Sequence, residues 1–354
     1  MKQKLTHRLR TVFALLTAFT AAAAAVTQTA AVTQTAAVTQ TAAVTQTAAV
    51  TQTAAAPGFD CITLPLAAEA AFDTFVIGEN TQSITARRFV RPFSINKYET
   101  PYALWYKVRI QAEKDGYVFA NPGQEGSAGR RGRAPTAAGA YQPVTMINWY
   151  DAIVWCNALS EQTGRTPVYT FNGNVLRDST ETADCDLADC DWNADGYRLP
   201  TETEWEYAAR RTAAGYQRGD LPSGSVDAAG ESDDSVDEGT IAWYDGNTNA
   251  THAVGTAGTP FSANPAPGSG TANALGLFDM SGNVLEFCWD WFAPYEETAP
   301  GAFAAGPEVG SQRVSRGGSW SPYTGFMFAG DRYAYDPNET YNYMGFRIAS
   351  SYSE

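Results

Sequence analysis

The feature that most constrains this 354-residue chain is a long stretch with little capacity for regular structure. From Gly215 to about Gly276 it is mostly Gly, Ser, Asp, Asn and Thr. Such residues turn the backbone and cap elements rather than propagate them. A chain that spends this much length on loops cannot rest on long packed helices. Its stability has to come from side-chain packing, to which aromatic rings contribute most per residue. Aromatic residues make up 12% of the sequence, which supports such a core and excludes a disordered chain.

Charge narrows the function classes. The chain carries 24 Lys+Arg against 38 Asp+Glu, a net charge of −14. Residues 1–56 hold four of those bases (Lys2, Lys4, Arg8, Arg10) and no acid, so the remaining 298 residues carry 20 bases against 38 acids, a balance of −18. That excludes a protein that grips nucleic-acid backbones through a basic face. Past the N-terminus no apolar run of about 20 residues occurs, so the body is not a membrane bundle. Of the body's bases only Lys97, Lys107 and Lys114 are lysine. The rest are arginine, which favours planar, bidentate and stacked contacts.

The N-terminus reads as an export segment. Met1 to Arg10 is positively charged, and Thr11 to Val26 is apolar and alanine-rich. This pattern suits a secretory signal peptide, with a single membrane anchor as the alternative. Ala-Val-Thr-Gln-Thr-Ala then repeats five times from Ala25 to Ala54. One valine in six residues cannot bury a core, so this segment is a spacer or a tolerated expansion. The expected organisation is a signal peptide over 1–26, a repeat linker over 27–56 and a domain over 57–354. Export makes the cysteines informative. Cys61, Cys156, Cys185, Cys190 and Cys288 are odd in number, so at least one stays unpaired within the chain. A local disulfide between Cys185 and Cys190 is plausible, and metal binding is less so because His252 is the one histidine beyond the signal. Asp60 and its neighbours make a poor lipid-attachment signal for Cys61, so any membrane link would be through such an anchor alone.

Several elements are legible in the body. Phe89 to Ile95 alternates as a strand does. Thr100-Pro101 predicts a helix start, with an apolar stripe of Leu104, Trp105, Val108 and Ile110. Arg130, Arg131 and Arg133 cluster in a loop, as an anion grip or a solvated surface. A second helix is predicted from about Trp149 to Glu161, with Ala152, Ile153, Cys156 and Leu159 on one face. Thr201 and Glu204 have the spacing of a capping box.

Tyr197-Arg198-Leu199-Pro200-Thr201-Glu202 with Glu204-Trp205-Glu206-Tyr207-Ala208, then Gly282-Asn283-Val284-Leu285-Glu286, Arg316-Gly317-Gly318-Ser319-Trp320 and Gly345-Phe346-Arg347 occur in this order. Together they resemble the formylglycine-generating-enzyme, or sulfatase-modifying-factor, domain family over roughly residues 80–350. The resemblance implies an α+β fold with much irregular structure, related to C-type lectin folds. It also bears on catalysis. The family's oxidases resemble a two-cysteine copper site shortly after the Gly-Gly-Ser motif, at positions near Pro322 and Met327 here. No cysteine follows Cys288, so the soft thiolate pair that monovalent copper requires is missing. His252 alone cannot supply the histidines of the iron-dependent relatives. No catalytic residue is assigned and no cofactor is expected beyond calcium, for which Asn283 and Glu286 are the weak candidates; hydrogen bonds tying a loop to the core are the alternative for both.

The last segment differs in composition. Trp320 to Tyr343 has eight aromatics in 24 residues: Trp320, Tyr323, Phe326, Phe328, Tyr333, Tyr335, Tyr341 and Tyr343. Tyrosine among small polar residues resembles an antibody paratope, where it gives contact area at low entropy cost. Clusters at 321–326, 331–336 and 338–343 alternate with plausible anchors Met327, Arg332, Pro337 and Met344. Most cluster residues are reachable from asparagine codons by changes at adenine alone, and Glu339 is not. The arrangement resembles the variable region of diversity-generating-retroelement proteins, over about 314–350. The candidate ligand-contacting residues are Ser321, Pro322, Tyr323, Gly325, Phe326, Asp331, Tyr333, Ala334, Tyr335, Asn338, Tyr341, Asn342 and Tyr343. The alternative is core packing, expected for Trp320 and open for Phe328. The expected function is non-catalytic binding of a protein or glycan by an exported, surface-displayed domain. A divergent oxidase and a structural envelope component are the alternatives.

Overall fold

The computed structural model describes residues 60–64, 72–79, 85–260, 265–299, 302–324 and 326–351, which all fall in one compact unit, Gln52–Glu354. The expected signal peptide and the whole repeat linker lie outside the described residues, as does Gly325. In chain order the main elements are β1 (Cys61–Leu64), β2 (Asp73–Ile77), β3 (Ala86–Val90), β4 (Phe93–Asn96), α1 (Tyr102–Lys114), α2 (Trp149–Gln162), β5 (Tyr197–Arg198), α3 (Glu202–Arg210), β6 (Leu285–Trp291), β7 (Arg313–Arg316), β8 (Arg332–Tyr335), β9 (Met344–Gly345) and β10 (Ala349–Ser351). Between α3 and β6 the described chain is almost all turn and loop, as its composition requires. Among the described residues no helix is long and apolar enough to cross a membrane.

The helix starts follow from local chemistry. Asn148 Oδ1 accepts from the Asp151 amide at 2.9 Å, and Asp151 Oδ2 accepts from the Asn148 amide at 3.0 Å. The same reciprocal box joins Thr201 and Glu204 at 3.1 and 2.9 Å, as their spacing indicates. Helix α1 differs from its expected start. Pro101 itself is the capping position, with extended backbone, and Thr100 lies outside the helix. Its buried face is Tyr102, Trp105, Val108, Arg109 and Ala112, whereas Leu104 and Ile110 are only half-buried. Helix α2 is buried all round from Trp149 to Ser160, so it is a core helix rather than a one-faced surface helix.

The expected single strand over Phe89–Ile95 is two. It breaks at Arg91-Pro92, where proline has no amide to donate to a ladder. Strand β3 pairs antiparallel with β2, and β4 joins a different sheet of order β1-β4-β10-β5. In that sheet β10 lies between β4 and β5, which places the end of the described chain beside Phe93–Ile95.

The second four-stranded sheet, β8-β7-β6-β9, positions the site. Strand β6 runs antiparallel to β7 and parallel to β9, and β8 pairs antiparallel with β7 at the sheet edge. Alternation on β6 divides the core. Leu285 and Phe287 join the apolar cluster around α1 and α2. Cys288 joins a second cluster around α3, β2, β3 and β4. The sheet is therefore covered on both faces, except along β8.

The five cysteines are free thiols. This corrects the expected Cys185–Cys190 bridge. Cys185 is buried on a short helix (Thr182–Asp186) with its thiol toward the Asp178 carbonyl at 3.7 Å, while Cys190 sits in a two-residue strand paired to Tyr169. Arg130, Arg131 and Arg133 are exposed, as in the solvated-loop reading.

A candidate ligand-binding ridge

The residues that carry the family resemblance are committed to the scaffold. Arg347 donates to both oxygens of Glu286 at 2.6 Å, and Trp205 Nε1 donates to Glu286 Oε2 at 2.7 Å. Arg198 and Glu204 form a two-point pair at 2.7 and 2.8 Å. Glu206 lies between Arg210 and Arg316. All of these side chains are buried. Charges out of water persist only when paired and hydrogen-bonded, and these are.

The calcium candidates belong to this same network. A cation at Glu286 would have to displace Arg347. Asn283 Oδ1 accepts from the His252 amide at 2.9 Å, and its Nδ2 donates to Glu99 Oε2 at 2.6 Å. The donor set therefore does not fit a calcium site. Burial raises the carboxyl of Asp279 to about 6 and that of Glu99 well above the usual range.

The ridge begins where β7 ends. Gly317 and Gly318 both have positive φ, 94° and 68°, and a Cβ on Gly318 would lie 2.8 Å from the Met327 Cα. The two glycines turn the chain under itself. Ser321 lies in that tucked part. Its amide donates to Ser319 Oγ at 3.0 Å and its carbonyl accepts from Thr324 Oγ1 at 2.9 Å. Ser321 is thus buried, which corrects its assignment as a contact residue. Pro322 and Tyr323 open a short 3-10 turn, and both are exposed, Tyr323 by 84%. Phe326 is exposed by 65% and stacks on Phe328, centroids 5.1 Å apart.

The anchors then alternate with the clusters. Met327, Pro337 and Met344 are buried. Arg332 is held by both oxygens of Glu202, donates to the Ala293 carbonyl at 2.6 Å and stacks over Phe292 and Tyr295. Between anchors, Asp331, Tyr333, Ala334, Tyr335, Tyr341, Asn342 and Tyr343 are half-buried and Asn338 is exposed. Tyr341 stacks on Tyr343 at 4.8 Å and meets Tyr335 edge-on at 5.5 Å. Their backbones are fixed from below. The Pro337, Tyr341 and Tyr343 carbonyls accept from the Trp149, Met146 and Leu285 amides at 3.1, 3.1 and 2.9 Å. Asn342 Nδ2 reaches the Ser127 carbonyl at 3.2 Å.

Trp320, expected to be packed, is half-buried and donates Nε1 to the Asn342 carbonyl at 3.3 Å. It bridges the first and last clusters, a role the adjacent glycines did not signal. Burial raises the hydroxyls of Tyr333 and Tyr335, and takes Tyr341 to about 12 and the Asp331 carboxyl to about 6. At neutral pH the tyrosines are neutral donors and acceptors on an amphipathic surface. Pro322 and Met327, near which the family resemblance puts the oxidase cysteines, are exposed and buried respectively.

Comparison with known proteins fits this architecture. Residues 28–352 match the model of the sulfatase-modifying factor enzyme 1-like domain. A chaperone protein LppX from Paenibacillus barcinonensis is 34% identical over 265 residues, 73% of this chain and 78% of that protein. The formylglycine-generating enzyme of Streptomyces coelicolor is 34% identical over 161 residues, 44% of this chain and 47% of the enzyme, so the chain spans about half of that relative. Among solved structures, Treponema denticola variable protein 1 superimposes with a TM-score of 0.59 at 29% identity, covering 80% of this chain and 94% of that one. The mixed α+β architecture, the ordered motifs and the extent of the match agree: this chain belongs to the sulfatase-modifying factor enzyme 1-like domain family.

Proposed function

We propose that this protein is a non-catalytic, surface-displayed binder whose C-terminal ridge presents a diversified tyrosine-rich contact surface to a protein or glycan ligand. One observation carries the reading. Buried or pinned anchors (Met327, Arg332, Pro337, Met344) alternate with exposed or half-exposed clusters, so side chains between anchors can change while the backbone path stays fixed. Tyr323, Phe326, Tyr333, Tyr335, Tyr341 and Tyr343 supply aromatic contact area, and Asp331, Asn338 and Asn342 supply adaptable hydrogen bonds. The non-catalytic part is supported by the absence of cysteine after Cys288. The N-terminal charge pattern supports export, with lipid attachment at Cys61 as one mode of anchoring.

Two measurements test this. Purified protein should contain no stoichiometric copper or iron and should consume no oxygen with a cysteine peptide; metal-dependent turnover would establish the oxidase alternative. The DNA around the gene should hold a near-copy of the segment encoding 310–350 beside a reverse transcriptase. A second reading, a chaperone, is favoured by the name of the Paenibacillus relative. It requires that the protein suppress aggregation of an unfolded client, which a binder of one folded ligand would not do.

A further inference from the structure

A second concave site lies off the ridge, and nothing in the binding proposal uses it. It is a cleft of about 480 Å³ built from three distant segments: residues 186–192, the end of β6, and residues 305–309 leading to β7. This volume is within the range of small-molecule pockets. Trp192, Trp289 and Trp291 contribute aromatic lining, and the exposed Leu187 and Val309 extend it.

Arg313 is the one basic residue lining the cleft, and its setting is unusual. The guanidinium carbon sits 3.6 Å from the ring centroid of Trp149 and 3.3 Å from that of Trp291. Nη1 donates to the Trp289 carbonyl at 2.7 Å. The side chain is 1% exposed, its Nε has no hydrogen-bond partner, and among the described residues no carboxylate pairs with it. Arg198, Arg210, Arg316 and Arg347, also buried, each have a carboxylate partner. Burial lowers the Arg313 guanidinium to about 9, as expected for a cation whose compensation comes mainly from ring faces. Asp186, Asp189 and Glu308 also line the cleft, and Asp186 already accepts from the Tyr150 hydroxyl at 2.9 Å. One unpaired cation, an aromatic wall and outer carboxylates therefore converge on one cavity.

We propose that this cleft binds a small zwitterion, an α-amino acid or a short peptide, with its carboxylate on Arg313, its apolar side chain against the tryptophans and its ammonium facing Asp189 and Glu308. The ligand's carboxylate supplies a counter-anion to an almost fully buried arginine that has none among the described residues. The acidic side chains exclude simple anions and select the paired positive charge. No ridge side chain lines the cleft.

The test is calorimetric titration, with tryptophan fluorescence alongside, of L-phenylalanine, its methyl ester, N-acetyl-phenylalanine and the dipeptide Gly-Phe. Binding of L-phenylalanine or Gly-Phe should be at least tenfold tighter than of the ester, which lacks the carboxylate. The preferred member of that pair separates a free amino acid from a peptide end. Asp189→Asn with Glu308→Gln, both exposed positions, should weaken phenylalanine at least fivefold, leave N-acetyl-phenylalanine binding equal or tighter and leave the thermal midpoint unchanged. Tyr341→Ala, on the ridge, should leave affinity unchanged. No binding by any of the four probes at millimolar concentration, or ester binding equal to that of the acid, overturns the proposal.

Discussion

Strands β7 and β8 are hydrogen-bonded neighbours with opposite exposure. Every residue of Arg313–Arg316 is buried, and every residue of Arg332–Tyr335 is half-exposed. Arg316 and Arg332 are direct partners in the register, and both reach Glu202. Arg316 does so from inside the sheet, where it also holds Glu206; Arg332 does so from the edge, with aromatic rings stacked on it. The pair marks a boundary. On one side, side chains are fixed by buried charge pairs; on the other, an edge strand and its loop expose side chains whose backbone is held by the scaffold. A binding surface that varies needs this division, because substitutions at the edge leave the buried pairs intact.

The largest expected effect comes from breaking the buried side. Arg347→Met leaves Glu286 without its two-point partner, and the loss of one member of a buried pair costs about 3–5 kcal/mol. Denaturant unfolding should show this as a lower midpoint with the slope preserved. Next is a pH effect. Burial, reinforced by Glu202, raises the Asp290 carboxyl to about 7, against an unfolded value near 3.9. A raised carboxyl pKa means the folded state holds the proton more tightly. Its contribution is fully present below about pH 4 and is lost as pH rises through about 7. Asp290→Asn should therefore flatten the stability–pH curve between about pH 4 and 7, by a few kcal/mol at most, relative to the parent chain.

Smaller again is Gly318→Ala. Its left-handed backbone and the close Met327 Cα make it destabilising by about 1–3 kcal/mol, and it should also reduce ligand binding because it moves the start of the ridge. The smallest stability effect is expected at the exposed ridge itself. Tyr323→Ser and Phe326→Ser should each shift stability by less than about 0.5 kcal/mol in thermal unfolding, as surface positions do. A drop as large as that of Arg347→Met would erase the boundary drawn here.

What could be read from the sequence was local or compositional. The Thr201–Glu204 box lies within one helical turn, and the loop stretch after Gly215 is a matter of composition. The spacing of Met327, Arg332, Pro337 and Met344 already marked the anchors. Pairings across long separations were not legible, because spacing does not say that Glu286 will meet Arg347 or that Glu206 will lie between Arg210 and Arg316. Ser321 and Trp320 exchanged roles for a related reason. Polarity favours an exposed serine and a buried tryptophan, but the Gly317-Gly318 turn folds Ser321 under and leaves Trp320 at the rim. The Arg313 cleft draws on three segments more than 90 residues apart at its extremes, and no local pattern announces it.

The central claim is that this molecule varies along one edge and is fixed elsewhere. Sequencing the locus across independent isolates tests it most directly. The account predicts substitutions confined to 321–343, concentrated at Tyr323, Phe326, Tyr333, Tyr335, Tyr341 and Tyr343, with Met327, Arg332, Pro337 and Met344 and the buried charge pairs unchanged. An invariant 321–343 segment, or substitutions spread evenly over the domain, would contradict it.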